Sequence, residues 1–265
     1  MPKEIKITFA KKLNTQLKWE DLILSPAVLD EIKLIKTWIE KREELLEIKT
    51  LTKRVKPGFT GLFAGPSGTG KTLSASLLGK ATGTKVYQVN LSQVISKYIG
   101  ETEKNLSKLF FTAENKDWIL FFDEADALFG KRTEIKDLNN QYANQEVSFL
   151  LQKVEEYPGL VIFSFSQSEI DEAFLNRMQF VVEFPRPGTS ERLKLWKQLF
   201  SGKMKLEASC NLEMIAQKYE LTPQAMNNVF QNCILKALQR KSYKILCLDI
   251  FHTIKKEFKK EGRNL

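Results

Sequence analysis

The stretch Gly65, Pro66, Ser67, Gly68, Thr69, Gly70, Lys71, Thr72 fills every fixed position of the pattern G-x-x-x-x-G-K-[ST]. Glycine reaches backbone conformations closed to other residues, so three of them in six positions let successive N–H groups point into one concavity. Such a concavity takes an anion. Lys71 adds a point charge suited to β- and γ-phosphates, and Thr72 offers a hydroxyl to a magnesium ion. The flanks agree with this reading. Gly61-Leu-Phe-Ala64 reads as a short buried strand, and Leu73 to Lys80 as a helix whose N-terminus favours negative charge. Strand, loop and helix in that order imply a nucleotide-binding α/β layer.

A nucleotide site needs a metal-side partner. Trp118-Ile-Leu-Phe-Phe122 is a run of large apolar residues, as expected for a strand covered on both faces, and it ends at Asp123-Glu124. An acid at the tip of a buried strand can hold magnesium, directly or through water, while its neighbour polarises an attacking water. Asp123 is the candidate metal-side residue together with Thr72, and Glu124 the candidate catalytic base. Residues 123–126 also spell Asp-Glu-Ala-Asp, a helicase wording. Such helicases need two RecA-like domains, for which 265 residues leave little room, and their downstream motifs are absent from the sequence.

Apolar strand-like runs recur at 85–90, 118–122, 160–165 and 181–184, separated by helical stretches. That alternation predicts a mostly parallel sheet with helices on both faces. Before it, Val28, Ile32, Ile35 and Ile39 repeat at helical spacing, and Lys56-Pro-Gly58 ends that helical segment. Pro185-Arg-Pro-Gly188 is the clearest linker. Beyond it, 190–200, 212–219, 223–240 and 249–261 all read as helices, which predicts an all-helical subdomain. The expected division is an N-terminal arm and amphipathic helix (1–58), a large α/β nucleotide-binding subdomain (59–187) and a helical lid (188–265).

The net charge of +9 is uneven. Residues 59–200 carry 16 basic and 17 acidic groups, whereas residues 201–265 carry 12 and 6. The motif region is near neutral and the flanks are basic, so a nucleic-acid groove is possible there, but Lys-rich solvated helix faces explain the flanks at least as well. No stretch has the apolar length of a membrane span, and the first residues lack the apolar core of a signal peptide. Cys210, Cys233 and Cys247 have no metal-type spacing and lie in helical-looking sequence. Buried free thiols in a reducing cytoplasm is the expectation. The single histidine, His252, leaves no His-based zinc site.

This ordered set resembles the AAA+ ATPases of the classical clade over nearly the whole chain. Asp123-Glu-Ala-Asp-Ala-Leu-Phe-Gly-Lys-Arg132 is similar to that family's Walker B continuation. Its wording, with Tyr142-Ala-Asn-Gln-Glu146, looks closest to the bacterial ATPases associated with extracellular contractile injection systems. The resemblance implies a three-layer P-loop NTPase domain with a parallel five-stranded sheet and a small helical lid. It also implies ATP and Mg2+ as cofactors, a homo-hexameric ring in the bacterial cytoplasm, and a protein substrate or injection-system component as partner. Carried over by position, Lys97, Tyr98 and Ile99 would form a pore loop gripping an extended polypeptide. Arg177 would be an arginine finger to the neighbouring subunit's ATP. Leu73 would join the phosphate loop in holding nucleotide, and Ile23 would close over the adenine ring.

Departures from the family pattern are also legible. The strand 160–165 should run into an Asn that senses γ-phosphate, and Ser166 or Gln167 stands there instead. Paired arginines are replaced by Asn176-Arg177, and the second-sensor start by Thr222-Pro-Gln224 with no Arg. Binding parts are intact and sensing parts altered, which implies slow or partner-dependent hydrolysis.

Overall fold

The computed structural model describes residues 9–48, 56–95, 100–126, 138–166 and 170–263. They fall into two compact units, one of Met1–Leu22, Pro26–Gly65 and Lys71–Phe184, the other of Ile23–Ser25, Pro66–Gly70 and Pro185–Leu265.

The first unit is built on a six-stranded sheet. Its strands are β1 (Ala10–Lys12), β2 (Phe59–Ala64), β3 (Val86–Asn90), β4 (Ile119–Asp123), β5 (Leu160–Phe165) and β6 (Phe180–Glu183), in the spatial order β1-β3-β4-β5-β2-β6. From β3 to β6 all pairings are parallel. These are the five parallel strands expected from the sequence. The sixth corrects that expectation: β1 pairs antiparallel with β3, setting Ala10 opposite Val89 and Lys12 opposite Tyr87. Three residues at a sheet edge, two of them exposed lysines, carry no apolar alternation that could have announced a strand.

All six residues of β5 and the first four of β4 are buried, as strands covered on both faces must be. Helices supply the cover. These are α1 (Pro26–Glu47), α2 (Lys71–Thr82), α3 (Leu91–Val94), α4 (Glu101–Glu114), α5 (Leu138–Glu156) and α6 (Glu172–Leu175). On one face Leu62, Leu120, Phe122, Val161 and Phe163 join Leu106, Leu109 and Phe110 of α4 and Leu150 and Val154 of α5 in a single core. The rings of Phe122 and Phe163 stack at 5.1 Å, and Phe174 of α6 meets Phe163 edge-on at 5.3 Å. Burying each such ring contributes about 1.5–3 kcal/mol relative to exposure. The strand period turns Phe63, Phe121 and Ile162 to the other face, where α2 packs on β3, β4 and β5 and α1 packs on α2. A hydroxyl pins one end of this core: Tyr157 donates to the carbonyl of Trp118 at 2.5 Å.

The second unit holds α7 (Thr189–Leu199), α8 (Leu212–Lys218), α9 (Pro223–Gln239) and α10 (Cys247–Lys260). Its helix starts follow from local chemistry. The Asn211 side chain accepts from the N–H of Met214, and Thr222 from that of Ala225, with Pro223 in the first turn where a missing N–H costs nothing. Trp196, Ile215, Val229, Cys233, Ile250 and Ile254 form its core. An all-helical unit was expected, but two-residue strands β7 (Lys205–Leu206) and β8 (Lys244–Ile245) pair in parallel. Segments this short have no periodicity to read. The thiols also differ in part from expectation. Cys210 and Cys233 are buried, but Cys247 is only half-buried and Cys210 lies just before α8 rather than in a helix. Among the described residues no helix is long and apolar enough to cross a membrane.

Candidate nucleotide site

Parallel pairing brings the carboxyl ends of β2, β4 and β5 to one edge of the sheet, the edge where ligands of open α/β sheets bind. Three main-chain bonds fix how the chain leaves it. Gly65 N–H donates to Phe165 O at 3.1 Å, Phe184 N–H to Ala64 O at 2.6 Å, and Ala125 N–H to Ser164 O at 3.0 Å.

The glycine-rich loop has the backbone its sequence calls for. Gly65, Gly68 and Gly70 all have positive φ, at 142°, 75° and 110°. A Cβ on Gly65 would lie 2.1 Å from the carbonyl oxygen of Phe184, so this position excludes any side chain. Inside the second unit, Gly68 presses on Gln224, where an added Cβ would come within 2.6 Å of Cβ, and Gly68 O accepts from Gln224 N–H at 3.3 Å. Thr69 Oγ1 donates to Pro66 O at 2.8 Å, closing the turn on itself.

Lys71 opens α2 and is only 6% exposed. Its ammonium donates to Gly65 O at 2.5 Å. Burial pushes its pKa below the usual lysine value, and the Asp123 and Asp126 carboxylates oppose that push. Thr72 Oγ1 donates to Asp123 Oδ2 at 3.3 Å. At the tip of β4 the same carboxylate accepts from Gln88 Nε2 at 2.7 Å, and its Oδ1 accepts from the Glu124 N–H at 3.1 Å. Glu124 is exposed and left-handed, with φ at 51°. A non-glycine residue held there is strained, a condition that clusters at functional sites.

Lys71, Thr72, Asp123 and Glu124, which lie in two segments of the sequence, are therefore neighbours. One expected residue is not among them. Arg177, just past α6, is exposed and its Nη1 donates to Glu155 Oε1 of α5 at 2.7 Å. Ser166 follows β5 directly and is half-buried, as are Leu73 and Ile23. Gln167 and the segment Lys97-Tyr98-Ile99 fall outside the described residues, as do residues 127–137 with the Leu-Phe-Gly-Lys-Arg wording.

Gln88 escaped the reading of the sequence. It lies in Val86-Tyr-Gln-Val-Asn90, where a polar residue inside a short apolar run was the only available signal. Among the described residues no cluster of three or more His, Cys, Asp or Glu could cage a metal. A hydroxyl and a carboxylate 3.3 Å apart nonetheless suit Mg2+, which keeps several waters and takes few protein ligands when phosphates complete its shell.

Residues 61–186 match the family model of the ATPase family associated with various cellular activities (AAA). The chain is 28% identical over 181 residues to an uncharacterised AAA family ATPase of Sinorhizobium fredii, covering 68% of this chain and 53% of that one. It is 32% identical over 162 residues to a putative 26S proteasome regulatory subunit homologue of Methanocaldococcus jannaschii, covering 59% and 43%. It is 29% identical over 212 residues to a cell division cycle protein 48 homologue of Archaeoglobus fulgidus, covering 77% and 28%. The chain thus spans about half the length of these relatives, or less. With that match laid on the phosphate-loop strand, the acid-tipped β4 and the mostly parallel sheet, residues 61–186 carry the sequence pattern of the AAA family's ATPase domain on an α/β fold that suits it.

Proposed function

We propose that this chain binds ATP with Mg2+ at the Gly65–Thr72 loop and hydrolyses it. A ring of identical subunits, six by family resemblance, uses the cycle to remodel or translocate a protein partner. The observation that carries the reading is the hydrogen bond from Thr72 to Asp123, which joins the phosphate loop to the acid-tipped strand.

In this reading Lys71 leaves the Gly65 carbonyl to meet the β- and γ-phosphates, while Thr72 and Asp123 would hold the metal, which would supply positive charge against the phosphates. Main-chain N–H groups from Ser67 to Gly70 cradle the phosphates, with Pro66 shaping the loop, and Leu73 and Ile23 contact the rest of the nucleotide. Glu124 takes a proton from water as its oxygen attacks the γ-phosphorus, and ADP departs with the bond's electrons. Arg177 serves a neighbouring subunit's ATP, and Lys97, Tyr98 and Ile99 grip the partner.

A relative named as a proteasome regulatory subunit homologue supports a protein as substrate. Assignment to a contractile injection system rests on the wording of residues 123–132 and 142–146. A second reading, an ATP-gated assembly switch with little turnover, is favoured by the altered sensor, where Ser166 or Gln167 stands in place of an Asn, and by the single arginine of Asn176-Arg177. Light scattering with and without ATP, run beside phosphate release, separates the two. A ring with turnover supports the motor, a ring without turnover the switch, and failure to bind nucleotide contradicts both.

A further inference from the structure

We propose that Gln88 is the positioning residue for Asp123, and that its amide sets how tightly the site holds Mg2+. This rests on the reading of Asp123 as the metal-side acid.

An ionised carboxylate only accepts hydrogen bonds, with about four lone-pair directions on its two oxygens. Here Oδ1 is taken by the Glu124 N–H, and Oδ2 is shared between Gln88 and Thr72. Gln88 makes the shortest of these bonds, 2.7 Å against 3.1 Å and 3.3 Å. The register explains its reach. Gln88 lies beside Phe121 on the neighbouring parallel strand, two residues short of Asp123, so a side chain of Gln length spans the offset that an Asn cannot.

Chemistry suits the role as well. A neutral amide fixes the carboxylate without competing with the cation for its charge, as a lysine or arginine here would. Thr72 donates to the same oxygen, so Gln88 and Thr72 together hold the Asp123 carboxylate beside the Thr72 hydroxyl, where an ion would be met. Partners of this kind orient a ligand before the metal arrives, and losing one typically costs 10–100-fold in metal affinity. The glutamine also lies in a half-buried strand, so little conformational freedom remains to be lost on binding.

The test is a Mg2+ titration of a fluorescent ATP analogue bound to the full chain, starting in EDTA. Gln88→Met keeps the side-chain volume and removes the donor, and Gln88→Asn keeps the amide but withdraws it. Both variants should raise the Mg2+ midpoint about tenfold or more while leaving binding in EDTA and the thermal midpoint near wild type. Asp123→Asn should raise it further. A shifted midpoint in Asp123→Asn beside wild-type midpoints in both Gln88 variants overturns the role of Gln88 and leaves the metal reading intact. An unshifted midpoint in Asp123→Asn overturns the metal reading, and Gln88's role with it.

Discussion

The ammonium of Lys71 donates to the main-chain carbonyl of Gly65, six residues earlier and at the opposite end of the same loop. A buried cation beside a neutral carbonyl and two acids is poised for an anion, and its desolvation costs the empty protein stability. Lys71→Met should therefore abolish ATP binding yet raise the melting temperature of the unliganded protein at neutral pH by a few degrees, the shift expected of about 1 kcal/mol. The pH dependence has a defined sign. Burial holds the folded-state pKa below the unfolded value of 10.5, so in that interval the unfolded chain binds more protons and stability rises with pH. The stability gap between variant and wild type should narrow as pH climbs toward 10.5. Thermal melts across an alkaline series check both statements.

Gly65→Ala should fail for a different reason. Its new Cβ would meet the carbonyl oxygen of Phe184 at 2.1 Å, and its φ of 142° disfavours any side chain. Strain at such positions costs about 1–3 kcal/mol before the clash is added. Urea unfolding should show a lowered midpoint, and nucleotide affinity should fall with it because the loop must shift.

Arg177 and Glu155 are both about half exposed, at 50% and 45% of their side-chain surface, so their ion pair contributes under about 1 kcal/mol to the fold. Arg177→Ala should leave the melting temperature and nucleotide binding unchanged. Turnover in the assembled ring should drop by about 10³ or more, the scale of a lost arginine finger. A melting shift with unaltered turnover would assign the pair to structure alone.

Arg192 is the contrasting case. It is 5% exposed, and its guanidinium donates to Ala216 O at 2.8 Å, Pro187 O at 2.5 Å and Thr189 Oγ1 at 3.2 Å. Arg192→Leu strands two carbonyls, and the loss should reach about 2–4 kcal/mol in denaturant unfolding of the helical unit. Arg192→Lys should recover little, because an ammonium lacks the planar fork that reaches all three acceptors.

What could be read from the chain depended on how many neighbours each residue type leaves open. Ile119 to Phe122 and the run 160–165 announced themselves because a strand covered on both faces must be apolar throughout. The loop was legible because three glycines and a lysine at fixed spacing have few other uses. Ala10–Lys12 was not, since an edge strand stabilised by main-chain pairing leaves its side chains in water. Gln88 and Arg192 were not either. Each is a polar residue with a partner far away in sequence, 35 residues on for Gln88 and 24 for Arg192's Ala216 carbonyl, and only the fold brings them together.

The most direct test of the central claim compares steady-state ATP hydrolysis by the purified chain with that of Glu124→Gln, beside binding of a fluorescent ATP analogue to both. Glu124 lies one residue past Asp123 with its backbone already strained into position, so the substitution should leave binding intact. Turnover should fall by at least about 100-fold, as expected when a general base is lost. Equal turnover in the two proteins would contradict the account and place the catalytic base elsewhere.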